Sequence, residues 1–226
     1  MENEAPAKKL TIMFLGDSSV GKTSLYLRYF NFEFNETLSE TPSILYNRRN
    51  ITYKNKKYVI ELYDSPGNEI YRENIISETK PKLGYFIVYD LTNELSLKGI
   101  EYFINLIQSK NKNSKIIILA NKSDLIQNKN EEDLFEKVAI EYNKKNIMCL
   151  KTSAKENKGI QQAFEIMIDL IESNLKNKNS EDKIETYMED KNENNIEIYK
   201  IDDKNGDEIG NNNKPSKEND CCCELC

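Results

Sequence analysis

The chain has 226 residues, with 32 basic and 38 acidic side chains, no histidine and a formal net charge of −6. The missing imidazole excludes Ser-His triads, histidine metal ligands and imidazole acid–base catalysis, and the acidic balance speaks against a nucleic-acid binder that works by neutralising phosphates. From Lys176 onward there are 8 lysines against 14 acidic residues, so that stretch carries the whole net charge, and one globular domain with an acidic appendage is the expected organisation.

Residues 1–8 read as a short N-terminal extension without the apolar stretch and cleavage site of a secretory signal, and no apolar run approaches the ~18 residues of a membrane span. Cytosolic synthesis is expected. The apolar run 10–15 reads as a buried strand and leads straight into Gly16-Asp17-Ser18-Ser19-Val20-Gly21-Lys22-Thr23-Ser24. This matches G-x-x-x-x-G-K-[ST] in the required strand, loop, helix setting. Gly16 and Gly21 let the backbone curl so that successive N–H groups face phosphate oxygens, and the helix N-terminus adds its dipole. Lys22 is placed to bridge β- and γ-phosphates, and the Thr23 hydroxyl to ligate Mg²⁺, a hard ion that prefers oxygen.

Further along, 44–53 reads as an antiparallel edge strand, and the apolar runs 58–63, 85–89, 115–120 and 147–150 as strands buried on both faces. Ile160, Ala163, Phe164, Met167, Leu170 and Ile171 form one apolar helical stripe. The alternation predicts an α/β fold: a P-loop NTPase with a doubly wound, mostly parallel six-stranded sheet and about five helices, spanning 9–176, with ligands at the carboxyl ends of the strands. Two of those ends carry Asn121-Lys122-Ser123-Asp124 and Thr152-Ser153-Ala154-Lys155. A carboxylate such as that of Asp124 accepts from both N1–H and N2–H of guanine, whereas adenine offers no such pair of donors; guanine is therefore the expected base.

Residues 177–220 are rich in Lys, Asn and acids and read as a flexible tether. Of five cysteines, Cys149 lies in an apolar run and the others close the chain as Cys221-Cys222-Cys223-Glu224-Leu225-Cys226, a pattern unlike a disulfide framework and suited to a reducing compartment.

Taken together, residues 8–175 resemble the Ras-like small GTPases, and within them the Rab family. The resemblance extends to Tyr89-Asp90-Leu-Thr-Asn93 and to residues 159–164. It implies that Phe34 packs against the guanine edge, that Thr41 of switch I binds Mg²⁺ when GTP is present, that Asp64 supports the metal, that the Gly67 N–H senses the γ-phosphate, and that the Ala154 N–H reaches guanine O6. The nucleotide site it implies thus comprises the 16–24 loop, Phe34, Thr41, Asp64, Gly67, Asn121, Lys122, Asp124, Ser153, Ala154 and Lys155. Thr23, Thr41 and Asp64 belong to the metal, and Lys22, Thr41, Gly67 and Asn68 to hydrolysis.

Where the family usually reads Asp-Thr-Ala-Gly-Gln-Glu, this chain has Asp64-Ser65-Pro66-Gly67-Asn68-Glu69. The Gln amide orients the attacking water, and Asn is one methylene shorter, so slow intrinsic hydrolysis is expected. Pro66 and Pro42 restrict the two switch segments, and 42–46 and 78–82 diverge where partners are recognised. The terminal cysteines resemble geranylgeranylated endings, with Cys222 and Cys223 as the acceptor pair. An acidic tail adds no polybasic anchor, so two prenyl groups are expected to hold the protein on the cytosolic face of an internal membrane. The resemblance implies GTP/GDP and Mg²⁺ as cofactors, with effectors, an exchange factor, an activating protein and escort proteins as partners. The expected role is a GTP/GDP switch in vesicle or membrane traffic; a GTP-binding scaffold with little or no hydrolysis stays open beside it.

Overall fold

A computed structural model describes residues 6–68, 80–126, 129–177, 186–187 and 199–200. The elements run β1 (Ala7–Gly16), α1 (Lys22–Tyr29), β2 (Leu45–Tyr53), β3 (Lys56–Asp64), β4 (Gly84–Asp90), α2 (Lys98–Lys110), β5 (Lys115–Asn121), α3 (Lys129–Asn143), β6 (Met148–Lys151) and α4 (Ile160–Asn177). Six strands lie in the order β6-β5-β4-β1-β3-β2, parallel throughout except for the β2–β3 hairpin. Of the roughly five expected helices, four α-helices fall among the described residues.

The apolar runs account for this topology. Every residue of β4 is buried, which requires helices on both faces of the sheet. On one face Phe164 of α4 stacks on Tyr29 of α1 at 3.6 Å between ring centroids and meets Phe86 of β4 edge-on at 4.9 Å. On the other, Ile100, Phe103, Ile104 and Ile107 of α2 pack with Val138 and Tyr142 of α3 over Tyr85, Ile87 and Ile118. Lys54 and Asn55, both at positive φ (49° and 59°), form the two-residue turn that joins β2 to β3. The α4 stripe is as spaced, except that Ile168 joins the core while Leu170 is half-buried.

Two boundaries differ from the expectation. β1 starts at Ala7, inside the anticipated extension, because Lys8 and Lys9 pair in register with Tyr58 and Val59 and place their ammonium groups on Glu172 (3.0 Å) and Glu61 (2.9 Å). Within the anticipated tether, Thr186–Tyr187 (β7) pairs antiparallel with Ala7 and Lys8, and Tyr199–Lys200 (β8) with Leu45 and Tyr46. Both use open strand edge, since β4 pairs with β1 only from Ile12 and β2 is the last strand of the six.

Candidate functional site

The loops that follow β1, β3, β5 and β6 converge with residues 34–41 around a cleft of about 430 Å³, within the range of small-ligand sites. Gly16 and Gly21 have φ of 145° and 93°, and Ser19 is also left-handed at 63°. Gly16 lies so close to the Val88 carbonyl that a side chain there would strike it. No side chain caps α1, so the N–H groups of its first turn suit an anion. Lys22 is 5% exposed and folds back over the loop, its Nζ donating to the Asp17 carbonyl at 2.7 Å.

Three oxygen donors from separate elements meet beside it. Thr23 Oγ1 donates to Asp64 Oδ2 at 2.6 Å and lies 2.6 Å from Thr41 Oγ1. Asp64 is fully buried. Burial pushes its carboxyl up to about 6, against the Thr23 hydrogen bond and the Lys22 charge, which pull it down. Its Oδ1 has no hydrogen-bond partner. Two hydroxyls and a buried carboxylate with an unsatisfied oxygen fit a hard divalent cation such as Mg²⁺.

At the same end of the cleft, a Cβ on Gly67 would lie 2.5 Å from Ser18 Cα and 2.8 Å from Lys22 Nζ, so glycine allows this segment to close on the phosphate loop. Ser65 Oγ donates to the Phe14 carbonyl at 2.8 Å, which fastens the buried start of the segment, and Asn68 stands exposed on the cleft wall.

At the other end, Asn121 Nδ2 donates to the Val20 carbonyl at 2.9 Å, and its Oδ1 accepts from Thr152 Oγ1 and the Ala154 N–H, both at 3.3 Å. One buried amide thus joins three loops. Ser153 Oγ donates to Asp124 Oδ1 at 2.5 Å, leaving the other carboxylate oxygen for a ligand. Lys122, left-handed at φ 64°, pairs with Asp90 at 2.7 Å. Phe34, Lys122, Asp124, Ala154 and Lys155 line this end.

The sequence-derived site residues therefore divide by position. Ser18, Ser19, Gly21, Lys22, Thr23, Ser24, Phe34, Thr41, Gly67, Asn68, Asn121, Lys122, Asp124, Ala154 and Lys155 face the cleft. Gly16, Val20, Asp64 and Ser153 support it from behind, through the contacts above, and Asp17 borders an adjoining cleft. Cys222 and Cys223 lie outside the described residues. Sequence reasoning noted Asp90 without giving it a role, and missed Glu36 and Glu40. Asp90 closes a buried strand one position before a turn, which is a readable signal. Glu36, paired with Lys155 at 2.9 Å, and Glu40, whose Oε1 accepts from Ser18 Oγ at 2.9 Å, have none.

Residues 11–173 match the sequence profile of the Ras family. The Ras-related protein Rab-8B of Homo sapiens is 33% identical over 155 residues, covering 68% of this chain and 73% of that protein. Rab-8 of Diplobatis ommata is 31% identical over 180 residues, covering 79% and 84% respectively, and Rab-3C of Bos taurus is 28% identical over 166 residues, covering 71% and 70%. These matches over most of the chain mean that the chain belongs to the Ras family of small GTPases, as a Rab-like member.

Proposed function

We propose that the chain is a guanine-nucleotide switch in vesicle or membrane traffic that hydrolyses GTP slowly by itself. The observation that carries this reading is the meeting of Thr23, Thr41 and Asp64 beside Lys22 and Gly67: a γ-phosphate there engages Thr41 and Gly67 together and orders both switch segments. Asp124 selects guanine and the Ala154 N–H meets its O6, while Phe34 covers the base edge. Thr23 and Thr41, with Asp64 behind, would hold Mg²⁺, which would supply positive charge to offset that of the phosphates. Lys22 stabilises charge on the β- and γ-phosphates, the Gly67 N–H donates to the γ-phosphate, and water is the nucleophile, so catalysis is chiefly electrostatic. Asn68 reaches that water poorly, being one methylene short of Gln.

Single-turnover GTP hydrolysis by the full chain and by Asn68→Gln tests the reading: the substitution should accelerate hydrolysis at least about tenfold, and equal rates would refute the role given to Asn68. The second reading, a GTP-loaded interaction scaffold, is favoured by the buried Pro66 and the Ser65 tie to Phe14, which restrict the conformations open to the segment that carries Asn68; hydrolysis by neither protein with GTP retained would establish it.

Among the described residues no helix is long and apolar enough to cross a membrane. Peripheral attachment through prenyl groups on Cys222 and Cys223 to the cytosolic face of an internal membrane goes with the switch, since one lipid chain holds only marginally and the acidic tail adds nothing. Mass spectrometry of membrane-extracted protein should find two prenyl adducts; stable attachment with one would contradict this. Effectors, an exchange factor, an activating protein and escort proteins are the partners such a cycle needs.

A further inference from the structure

We infer that Glu40 discriminates between nucleoside di- and triphosphates: its carboxylate, held on the phosphate loop by Ser18, biases this pocket toward GDP. The inference rests on the guanine-nucleotide reading above and concerns the end of the cleft where a third phosphate must lie.

The direction of the cleft follows from its residues. Asp124 and Ala154 mark the base end, and the phosphate loop leads from there to the place where Ser18, Lys22 and Gly67 crowd together. At that place Ser18 Oγ donates to Glu40 Oε1 at 2.9 Å. Ser18, Glu40, Gly67 and Asn68 also border the adjoining cleft, so the carboxylate, though exposed, stands where the two openings meet. Glu40 directly precedes Thr41, whose hydroxyl is 2.6 Å from Thr23; consecutive Cα atoms lie about 3.8 Å apart, so the Glu40 backbone cannot move far while Thr41 stays engaged, and the Ser18 bond holds the carboxylate. Among the described residues no cation pairs with Glu40. Glu36, four positions earlier on the same loop, is instead neutralised by Lys155 at the base end.

Two opposed effects therefore sit on adjacent residues. A γ-phosphate gains Thr41, but it competes with Glu40 for the Ser18 hydroxyl and brings further negative charge up to a carboxylate with which no cation among the described residues pairs directly, while Lys22 serves either nucleotide. A diphosphate ends earlier and leaves the Ser18–Glu40 bond intact. For charges a few ångströms apart at a partly exposed site, the repulsion changes the relative affinity about tenfold.

The test is a comparison of GDP and GTPγS affinities for the nucleotide-freed full chain in Mg²⁺ buffer. Glu40→Gln keeps a carbonyl oxygen for the Ser18 hydroxyl and removes the charge alone. It should lower the ratio of Kd for GTPγS to Kd for GDP about tenfold, chiefly by tightening GTPγS, and Glu40→Ser should move it the same way. Raising salt from about 50 mM to about 500 mM should shrink the wild-type ratio and leave that of Glu40→Gln nearly constant, because an exposed charge is screened; a loss of loop structure would not give that signature. Glu36→Gln should move both affinities together. A ratio within about twofold of wild type in Glu40→Gln, with GDP still bound, overturns the inference. Failure of the wild type to bind either nucleotide overturns the guanine reading, and the inference with it.

Discussion

Asn121 is the joint between the base end and the phosphate loop, and its removal should be felt at both. The side chain is 1% exposed; it donates to the Val20 carbonyl at 2.9 Å and accepts from Thr152 Oγ1 and the Ala154 N–H at 3.3 Å. A net hydrogen bond contributes about 0.5–1.5 kcal/mol, and a buried group left unpaired costs about 1–3 kcal/mol. The short bond to Val20 should dominate, because the two at 3.3 Å are near the limit of good geometry. Asn121→Ala should therefore cost roughly 2–4 kcal/mol, a large share of a typical 5–15 kcal/mol total stability. Asn121→Asp keeps the acceptor for Thr152 and Ala154 but sets a carboxylate against the Val20 carbonyl, so it should cost at least as much. Urea denaturation of the nucleotide-freed full chain gives both values, and hydrogen exchange of the 16–23 amides should quicken in both variants. A stability within about 0.5 kcal/mol of wild type for Asn121→Ala, with unchanged exchange in the loop, would refute the idea that this one amide couples the three loops.

Two more predictions concern separate parts of the molecule. Gly67→Ala places a methyl 2.5 Å from Ser18 Cα and 2.8 Å from Lys22 Nζ; GDP affinity should stay near wild type while single-turnover hydrolysis falls about a hundredfold, the usual consequence of displacing a reacting group by an ångström. Glu172 joins Lys8 and Lys56, each at 3.0 Å; burial pushes its carboxyl up, but the hydrogen bonds from Lys56 and Lys8 outweigh this and hold it below its ordinary value of 4.5. Because the folded value is the lower one, the contribution to stability is present above pH 4.5 and lost as pH falls below it. Thermal melts should show Glu172→Gln less stable than wild type near neutrality, with the gap narrowing on acidification; a gap that widens would be contrary to this sign.

Contiguity decided what could be read from the chain. The 16–23 motif lies within one turn of backbone, and β4 carries seven consecutive buried residues, so loop and central strand were both legible, as was the α4 stripe. Ile168, rather than Leu170, completes that stripe because the buried sector of the helix is turned toward the Ile168 side. The meeting of Thr23, Thr41 and Asp64 depends on two segments 18 and 41 positions from Thr23, and no local pattern specifies it; only the family resemblance pointed there. Asp90 was visible as a residue but not as the partner of Lys122. Charged residues hide their roles most completely: Lys8 reads as the end of an extension until Glu172 stands opposite it, and Glu40 looks like loop charge until Ser18 holds it.

The central claim is that Asp124, Asn121 and Ala154 form a guanine site at the end of a phosphate loop. Calorimetric titration of the nucleotide-freed chain with GDP, GTP, ADP and ATP in the presence of Mg²⁺ tests it most directly. Tight binding of GDP and GTP is predicted, with the adenine nucleotides weaker by about 10⁴-fold, since adenine leaves the Asp124 carboxylate unpaired. Comparable affinity for ATP and GTP would contradict the account.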